Sequence, residues 1–373
     1  MFVKGVGMTK FGTENRSSQE MIYEAAFEAL QGADMTPDDM DAIVLSTTDS
    51  QINGERQRLM GPVVNSLLNT KKPVIRIPAV CGGGGAALWS ALKLKHDNVL
   101  VIGNEKLASN NSMQVTDDIL MAAERIYEQA EGMIFPAQNA LVAQQHMLKY
   151  GTTEDDFAQV ALKNHENAFL NPKAAFYKKK VTLEQIKKSP MVASPLRLFD
   201  CSLSVNGAAA AVLTKDKTDV EIIGSGLATD SLPTFEREDI TTWEATERAS
   251  EAAYNQAGIS ASDIDFAEVH DAFTIVELMA YEDLGFVEKG KGNALIQDGT
   301  TKLDGKLPVN MSGGLKAKGH PISATGLSQI YELTKQLRNE AGERQVRGKI
   351  ALAQNIGGCG ANVAVHILKK VAG

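Results

Sequence analysis

Apolar side chains at Met21, Ile22, Ala25, Ala26, Ala29 and Leu30 recur every three or four residues, which predicts a helix with one face on a core. Ser17 and Ser18 stand where an N-cap belongs, and Gly32 where such a helix stops. Thr36-Pro37-Asp38-Asp39 reads as a short turn, and the unbroken apolar run 42–45 as a strand buried on both faces. The same order returns far down the chain. Residues 242–256 carry Ala245, Ala249, Ala252 and Ala253 at helical spacing, Gly258 ends the run, Ser260 caps the next turn, and 266–269 reads as a strand. Thr36 and Ser260, Asp39 and Asp263, and Asp41 and Asp265 are each separated by 224 residues.

The repeat extends further. Residues 74–77 lead through Gly82, Gly83, Gly84 and Gly85 into a helical pattern over 86–94. The strand-like run 307–310 leads through a second glycine-rich stretch into a helix from Leu327. The apolar run 99–103 resembles 350–353, and 206–213 resembles 361–368. Strands alternating with helices in a duplicated unit predict an α/β protein of two halves, 1–220 and 221–373, each with its own sheet. The first half alone carries an insertion at about 110–198, with helical patterns over 119–129, 137–149 and 155–170. A long insertion on a duplicated scaffold suits a lid or a binding region. Its lysines (Lys178, Lys179, Lys180, Lys187 and Lys188) are either a solvated face or a contact for a polyphosphate ligand.

Composition narrows the chemistry. The chain has 373 residues, enough for two packed units, and 43% of them are hydrophobic. Lys plus Arg number 38 against 46 Asp plus Glu, and a net charge of −8 argues against a nucleic-acid partner. Three cysteines without a C-x-x-C pair exclude a disulfide framework and a thiolate zinc site, which points to a reducing, cytoplasmic setting. No signal peptide is apparent, and no apolar run reaches the roughly 20 residues that span a bilayer.

Four residues stand out as candidates. His320, between Gly319 and Pro321 at a helix entrance, is placed to polarise or reprotonate a bound group. Cys81 precedes four glycines and a helical pattern; a helix N-terminus lowers a thiol pKa, and glycines leave backbone N–H groups free for an oxyanion. The tetraglycine lacks the Gly-Lys-Ser/Thr ending of a P-loop. His270 follows the strand 266–269, the position expected of an active-site residue in an α/β sheet, unless Asp271 satisfies it. Cys359 lies in the turn 355–362 with Asn355, Gly358 and Gly360, which are candidates to hold an oxyanion; the thiol is either an acid/base or a small residue in a tight turn. Cys201 reads as buried, and His96, His146, His165 and His366 as structural.

Taken together these stretches resemble the thiolase family, in the branch that includes archaeal and sterol-carrier-protein thiolases. The likeness runs from Met8-Thr9-Lys10-Phe11-Gly12 through Cys81, 150–154, 163–168, 171–172, 200–202 and 206–210. It continues through Val269-His270-Asp271-Ala272-Phe273, 310–326 and 355–358. It implies a five-layered αβαβα sandwich of two duplicated halves with an inserted loop region. It further implies a dimer or tetramer acting on acyl-CoA, most simply condensing two acetyl-CoA into acetoacetyl-CoA for mevalonate formation. By the resemblance Cys81 is the nucleophile, His320 activates it, and His270 helps form an oxyanion hole. Coenzyme A thioesters are then substrates, with no cofactor or metal. In that branch the enzyme can associate with a hydroxymethylglutaryl-CoA synthase and a small zinc-ribbon/OB-fold protein.

Two departures stand out. The second, acid/base cysteine of that branch falls at Ala272 here, and the Cys-x-Gly turn of the other branch aligns with Asn355-Ile356-Gly357, leaving Cys359 displaced. The alternatives are a longer-chain 3-ketoacyl-CoA thiolase, a Cys-His-His acyltransferase that avoids deprotonation, and a catalytically silent thiolase-fold subunit.

Overall fold

The computed structural model describes residues 1–48, 53–107 and 111–372. The first residue assigned to the insertion, 110, and the last of the second half, 373, lie outside these. A first set of elements runs β1 (Phe2–Met8), α1 (Ser18–Gly32), β2 (Ala42–Ser46), α2 (Met60–Leu67), β3 (Val74–Arg76), α3 (Gly83–Lys93) and β4 (Asn98–Glu105). The insertion contributes α4 (Ser112–Leu120), α5 (Phe135–Tyr150), α6 (Glu154–Phe169), α7 (Leu183–Lys187) and the hairpin β5 (Met191–Ala193) and β6 (Leu196–Arg197) before β7 (Gly207–Thr214). The second set is β8 (Val220–Thr229), α8 (Glu244–Ala257), β9 (Phe266–Glu268), α9 (Thr274–Asp283), α10 (Gly292–Gln297), α11 (Thr325–Arg338), β10 (Ile350–Gly357) and β11 (Asn362–Lys370).

Local chemistry explains the repeat. Ser17 caps α1 in a capping box with Glu20, and the residues that α1 buries include all six of the predicted apolar stripe. The backbone N–H of Thr36 donates to Asp39 and that of Ser260 to Asp263, each at 2.7–2.8 Å. Asp41 accepts the N–H groups of Asp97 and Asn98, just as Asp265 accepts those of Lys349 and Ile350. Each carboxylate thereby ties the start of one strand to the start of its parallel neighbour.

The strand order is β3-β2-β4-β7-β1-β8-β11-β10-β9. Read outward from the centre, β1-β7-β4-β2-β3 is repeated by β8-β11-β10-β9, and Val309 bridges β9 where β3 pairs with β2. Two expectations need correction here. The sheets are not separate, because β1 and β8 lie side by side at the pseudo-twofold centre and join through the pair Phe2↔Glu221. Residues 307–310 form only that bridge, since Pro308 has no N–H to extend a ladder. A third correction lies in the insertion: the helix expected over 119–129 breaks, because the Glu124 carboxylate caps the N–H groups of Ile126 and Tyr127 and starts a separate turn.

Three apolar cores separate five layers. One lies between α1, α2 and the outer face of the first strands. A second surrounds α3 and α11 in the middle, and a third lies between the second strands and α8 and α9. Among the described residues no helix is long and apolar enough to cross a membrane.

The middle layer is unusually close. A Cβ on Gly84 would sit 2.8 Å from the backbone nitrogen of Gly326, and one on Gly85 would sit 2.7 Å from the Ala364 methyl. Gly84→Ala is therefore expected to destabilise the protein by about 1–3 kcal/mol, because α3 must move off α11. The shift in urea midpoint at unchanged slope measures it.

Candidate active site

Cys81 enters the site on a strained turn. Val80 has φ +47°, a left-handed conformation that a β-branched residue adopts at a cost of about 1–3 kcal/mol. The turn lifts the thiol to the mouth of α3, with the short helical turn Val80–Gly82 leading directly into it. The glycines that follow serve packing rather than ligand approach. Gly82 and Gly83 donate to the carbonyls of Ala79 and Val80, and Gly85 N–H donates to Asn355 Oδ1 at 2.9 Å. Nor does the helix N-terminus leave a thiolate there: burial, aided by the Glu105 carboxylate, pushes the Cys81 thiol up to about 12. Glu105 is itself raised to about 7 by burial, against hydrogen bonds from Ser323 and Thr48.

The two histidines meet edge to face, with ring centroids 5.2 Å apart. His270 Nδ1 accepts the backbone N–H of Ile356 and an Asn355 amide hydrogen, both at 3.3 Å. A backbone N–H can only donate, so the neutral ring carries its proton on Nε2. His320 Nδ1 lies 2.7 Å from Thr325 Oγ1. Burial holds both rings neutral, His320 down to about 3 with help from the Lys318 ammonium, and His270 well below its ordinary value.

Asn355 ties these parts together. Its amide donates to the Cys81 carbonyl at 2.9 Å and to His270, and its oxygen accepts from Gly85. Every hydrogen-bonding site of its side chain faces protein, which makes it a brace and not an oxyanion donor.

Cys81, His270 and His320 line one cavity of about 230 Å³, together with Gly358 and Cys201. The insertion closes one side through Thr116, Ile119, Phe135 and Asn139. Cys359 and Gly360 are not on the cavity wall. The Cys359 thiol is buried in the third core, 4.0 Å from Asn139 Oδ1, and burial raises it to about 12. Gly360 packs under the Trp243 ring. The turn requires its glycines, since Gly358 and Gly360 have φ +64° and +79° on either side of Cys359. Cys359→Ala is expected to leave turnover within about threefold of the wild type while lowering stability by about 1–2 kcal/mol, read by steady-state assay and urea melt together.

The insertion's lysines are exposed. Lys187 pairs with Asp155 and Lys188 with Glu184, and none of the five lines the cavity. Cys201 is the residue that sequence reasoning misplaced. No local signal marked it, since the bridge that brings it to the cavity is to Phe273, far along the chain.

Beneath the cavity lies a buried polar layer. Asp271 turns away from His270 and accepts from Asn164 Nδ2 at 2.8 Å and Leu315 N–H at 2.6 Å. Glu277 accepts from Lys163 at 2.5 Å, Asn164 at 2.6 Å and Asn310 at 2.8 Å. Asn310 Oδ1 in turn accepts the N–H of Val269, so one side chain fixes the loops bearing both His270 and His320. Among the described residues no group of three or more His, Cys, Asp or Glu is placed to hold a metal ion.

A family model described as thiolase, N-terminal domain, matches residues 1–215, and one described as thiolase C-terminal domain-like matches 226–370. An acetyl-CoA acetyltransferase of Methanothermobacter thermautotrophicus is 41% identical over 99% of both chains. Sterol carrier protein 2 of Bos taurus is 34% identical over 99% of this chain and 72% of its own length. Among solved structures, an Ltp2-ChsH2(DUF35) aldolase covers 99% of this chain and 97% of its own, with TM-score 0.81 and 25% identity.

Proposed function

The chain belongs to the thiolase family and is an acyltransferase, and on that footing we propose that it condenses two acetyl-CoA into acetoacetyl-CoA and catalyses the reverse thiolysis. The observation that carries this reading is the convergence of Cys81, His270 and His320 on one cavity, with Cys81 on a strained turn. A thiol whose pKa is raised must lose its proton as it attacks. Neutral His320, its Nδ1 engaged by Thr325, takes that proton on Nε2. The acyl group moves to Cys81 and coenzyme A departs. The Nε2–H of His270 points its dipole at the thioester oxygen as charge develops there. A second acetyl-CoA then loses an α-proton, and its enolate attacks the acyl-enzyme; the thioester acidifies its own α-carbon, so the proposed reaction draws on no cofactor.

The product would enter mevalonate formation in the cytoplasm. The enzyme would work as a homodimer or homotetramer, with a hydroxymethylglutaryl-CoA synthase and a small zinc-ribbon/OB-fold protein as companions. A solved neighbour whose name pairs an aldolase with a DUF35 protein supports a companion of some kind. Co-purification from the native source tests it, and recovery of the homo-oligomer alone would count against it.

The apolar wall of Ile134, Phe135, Trp243, Phe273 and Val276 supports a second reading, thiolysis of longer 3-ketoacyl-CoA. Thiolysis of a chain-length series of 3-ketoacyl-CoA esters decides between them: highest kcat/KM on acetoacetyl-CoA supports the first reading, and a maximum at longer chains replaces it. No turnover of any member, even with the companions added, would leave a silent subunit.

A further inference from the structure

We propose that Cys201 is the group that removes and returns the α-proton, a catalytic role that rests on the reaction proposed above. Among the described residues, the titratable side chains on the cavity wall are Cys81, Cys201, His270 and His320. Condensation moves two protons, one from the Cys81 thiol and one from the α-carbon, and because they leave different atoms, two carriers each set at one atom serve it better than one that must reach both. His270 is excluded as a carrier: Nε2 already bears hydrogen, and Nδ1 faces the fixed N–H of Ile356. His320 receives the proton from Cys81. Cys359 is outside the cavity. Cys201 is what remains.

Its surroundings suit the task. Cys201 pairs across an antiparallel bridge with Phe273, and the next residue, Ser202, donates its N–H to the Ala272 carbonyl at 2.8 Å. The pairing sets the Cys201 side chain beside Phe273, and both residues line the cavity. The Lys316 ammonium is 2.6 Å from the Cys201 carbonyl oxygen, and its positive charge favours the thiolate against the burial that raises the thiol to about 11. Within the described protein the thiol's one hydrogen bond is to the Arg197 carbonyl, at 3.5 Å.

The protons balance. As Cys81 attacks acetyl-CoA its proton passes to His320, the C–S bond to coenzyme A breaks, and Cys201 S–H protonates the departing thiolate. Cys201 is then a thiolate beside an imidazolium. It takes the α-proton of the second acetyl-CoA, and the enolate carbon bonds to the acyl carbon. The Cys81 C–S bond breaks, and the Cys81 thiolate recovers its proton from His320.

The test uses the whole enzyme with Cys201→Ala and Cys201→Ser. Incubation with acetyl-CoA followed by intact-mass measurement reads acetylation of Cys81, because a coenzyme A thiolate can leave without a proton donor. Acetoacetyl-CoA turnover and exchange of acetyl-CoA methyl protons with solvent deuterium read the α-proton step. Both variants are expected to accumulate acetyl-Cys81 while turnover and exchange fall roughly 10²–10⁴-fold. Turnover within about threefold of wild type, or acetylation falling in parallel with turnover, would overturn the proposal. Absence of acetyl-Cys81 in the wild-type enzyme would overturn the acyltransfer reading itself, and the role of Cys201 with it.

Discussion

Cys81→Ala is expected to lower acetoacetyl-CoA thiolysis by roughly 10⁴-fold or more and to abolish acetylation of the enzyme, with the fold intact. In the proposed reaction, loss of the covalent nucleophile leaves only binding and oxyanion stabilisation, which together account for a small part of such a rate. The substitution removes one sulfur at a half-buried position, so the thermal midpoint should move little. His320→Ala should cost nearly as much, and the double variant little more than either. A thiol raised to about 12 attacks only as its proton leaves, so in the proposed reaction Cys81 and His320 act as one unit. Steady-state rates and intact-mass measurement of the three variants check this. Losses that simply multiply would mean that Cys81 is activated by some other group.

Glu277→Ala is expected to have the largest effect on stability, about 3–5 kcal/mol, because it strands the Lys163 ammonium in the interior. Lys163 is 2% exposed and Glu277 0%. Tyr281, Asn164 and Asn310 would lose their acceptor as well. Since Asn310 clamps the strand end before His270, activity should fall along with stability. Urea unfolding measures the loss, and the double replacement Lys163→Met with Glu277→Leu should recover part of the stability without the activity. An isolated Glu277→Ala costing under about 1 kcal/mol would mean that water reaches the pair.

Much of the scaffold was legible in the residues, for a physical reason. Capping boxes and periodic apolar faces are local, so Ser17, Thr36 and Ser260 marked element starts, and one offset revealed the duplication. Cys81, His270 and His320 were legible as candidates because each lies shortly before a helix, α3, α9 or α11. What failed depended on distant neighbours. The tetraglycine looked like a ligand cradle, but its use is the approach of α3 to Gly326 and Ala364, hundreds of residues away. Cys359 looked available in a glycine-rich turn, and only the fold shows its thiol facing Asn139. Cys201 looked buried, and only the bridge to Phe273 brings it beside the cavity. The break after α4 turned on Glu124 bonding to backbone where helical periodicity suggested continuity.

The seam between the halves sets a timetable for synthesis. β1 is hydrogen-bonded along its length to β7, and Thr9 and Ala208, which share a hydrogen bond next to that pairing, lie 199 residues apart. At roughly 5–20 residues per second, a ribosome needs on the order of 10–40 s to deliver the partner strand. Throughout that interval Val3, Val6 and Met8, all buried in the finished protein, have no sheet to join. The nascent chain is therefore a substrate for holding chaperones for most of its translation, and rapid overexpression should yield aggregates before active enzyme.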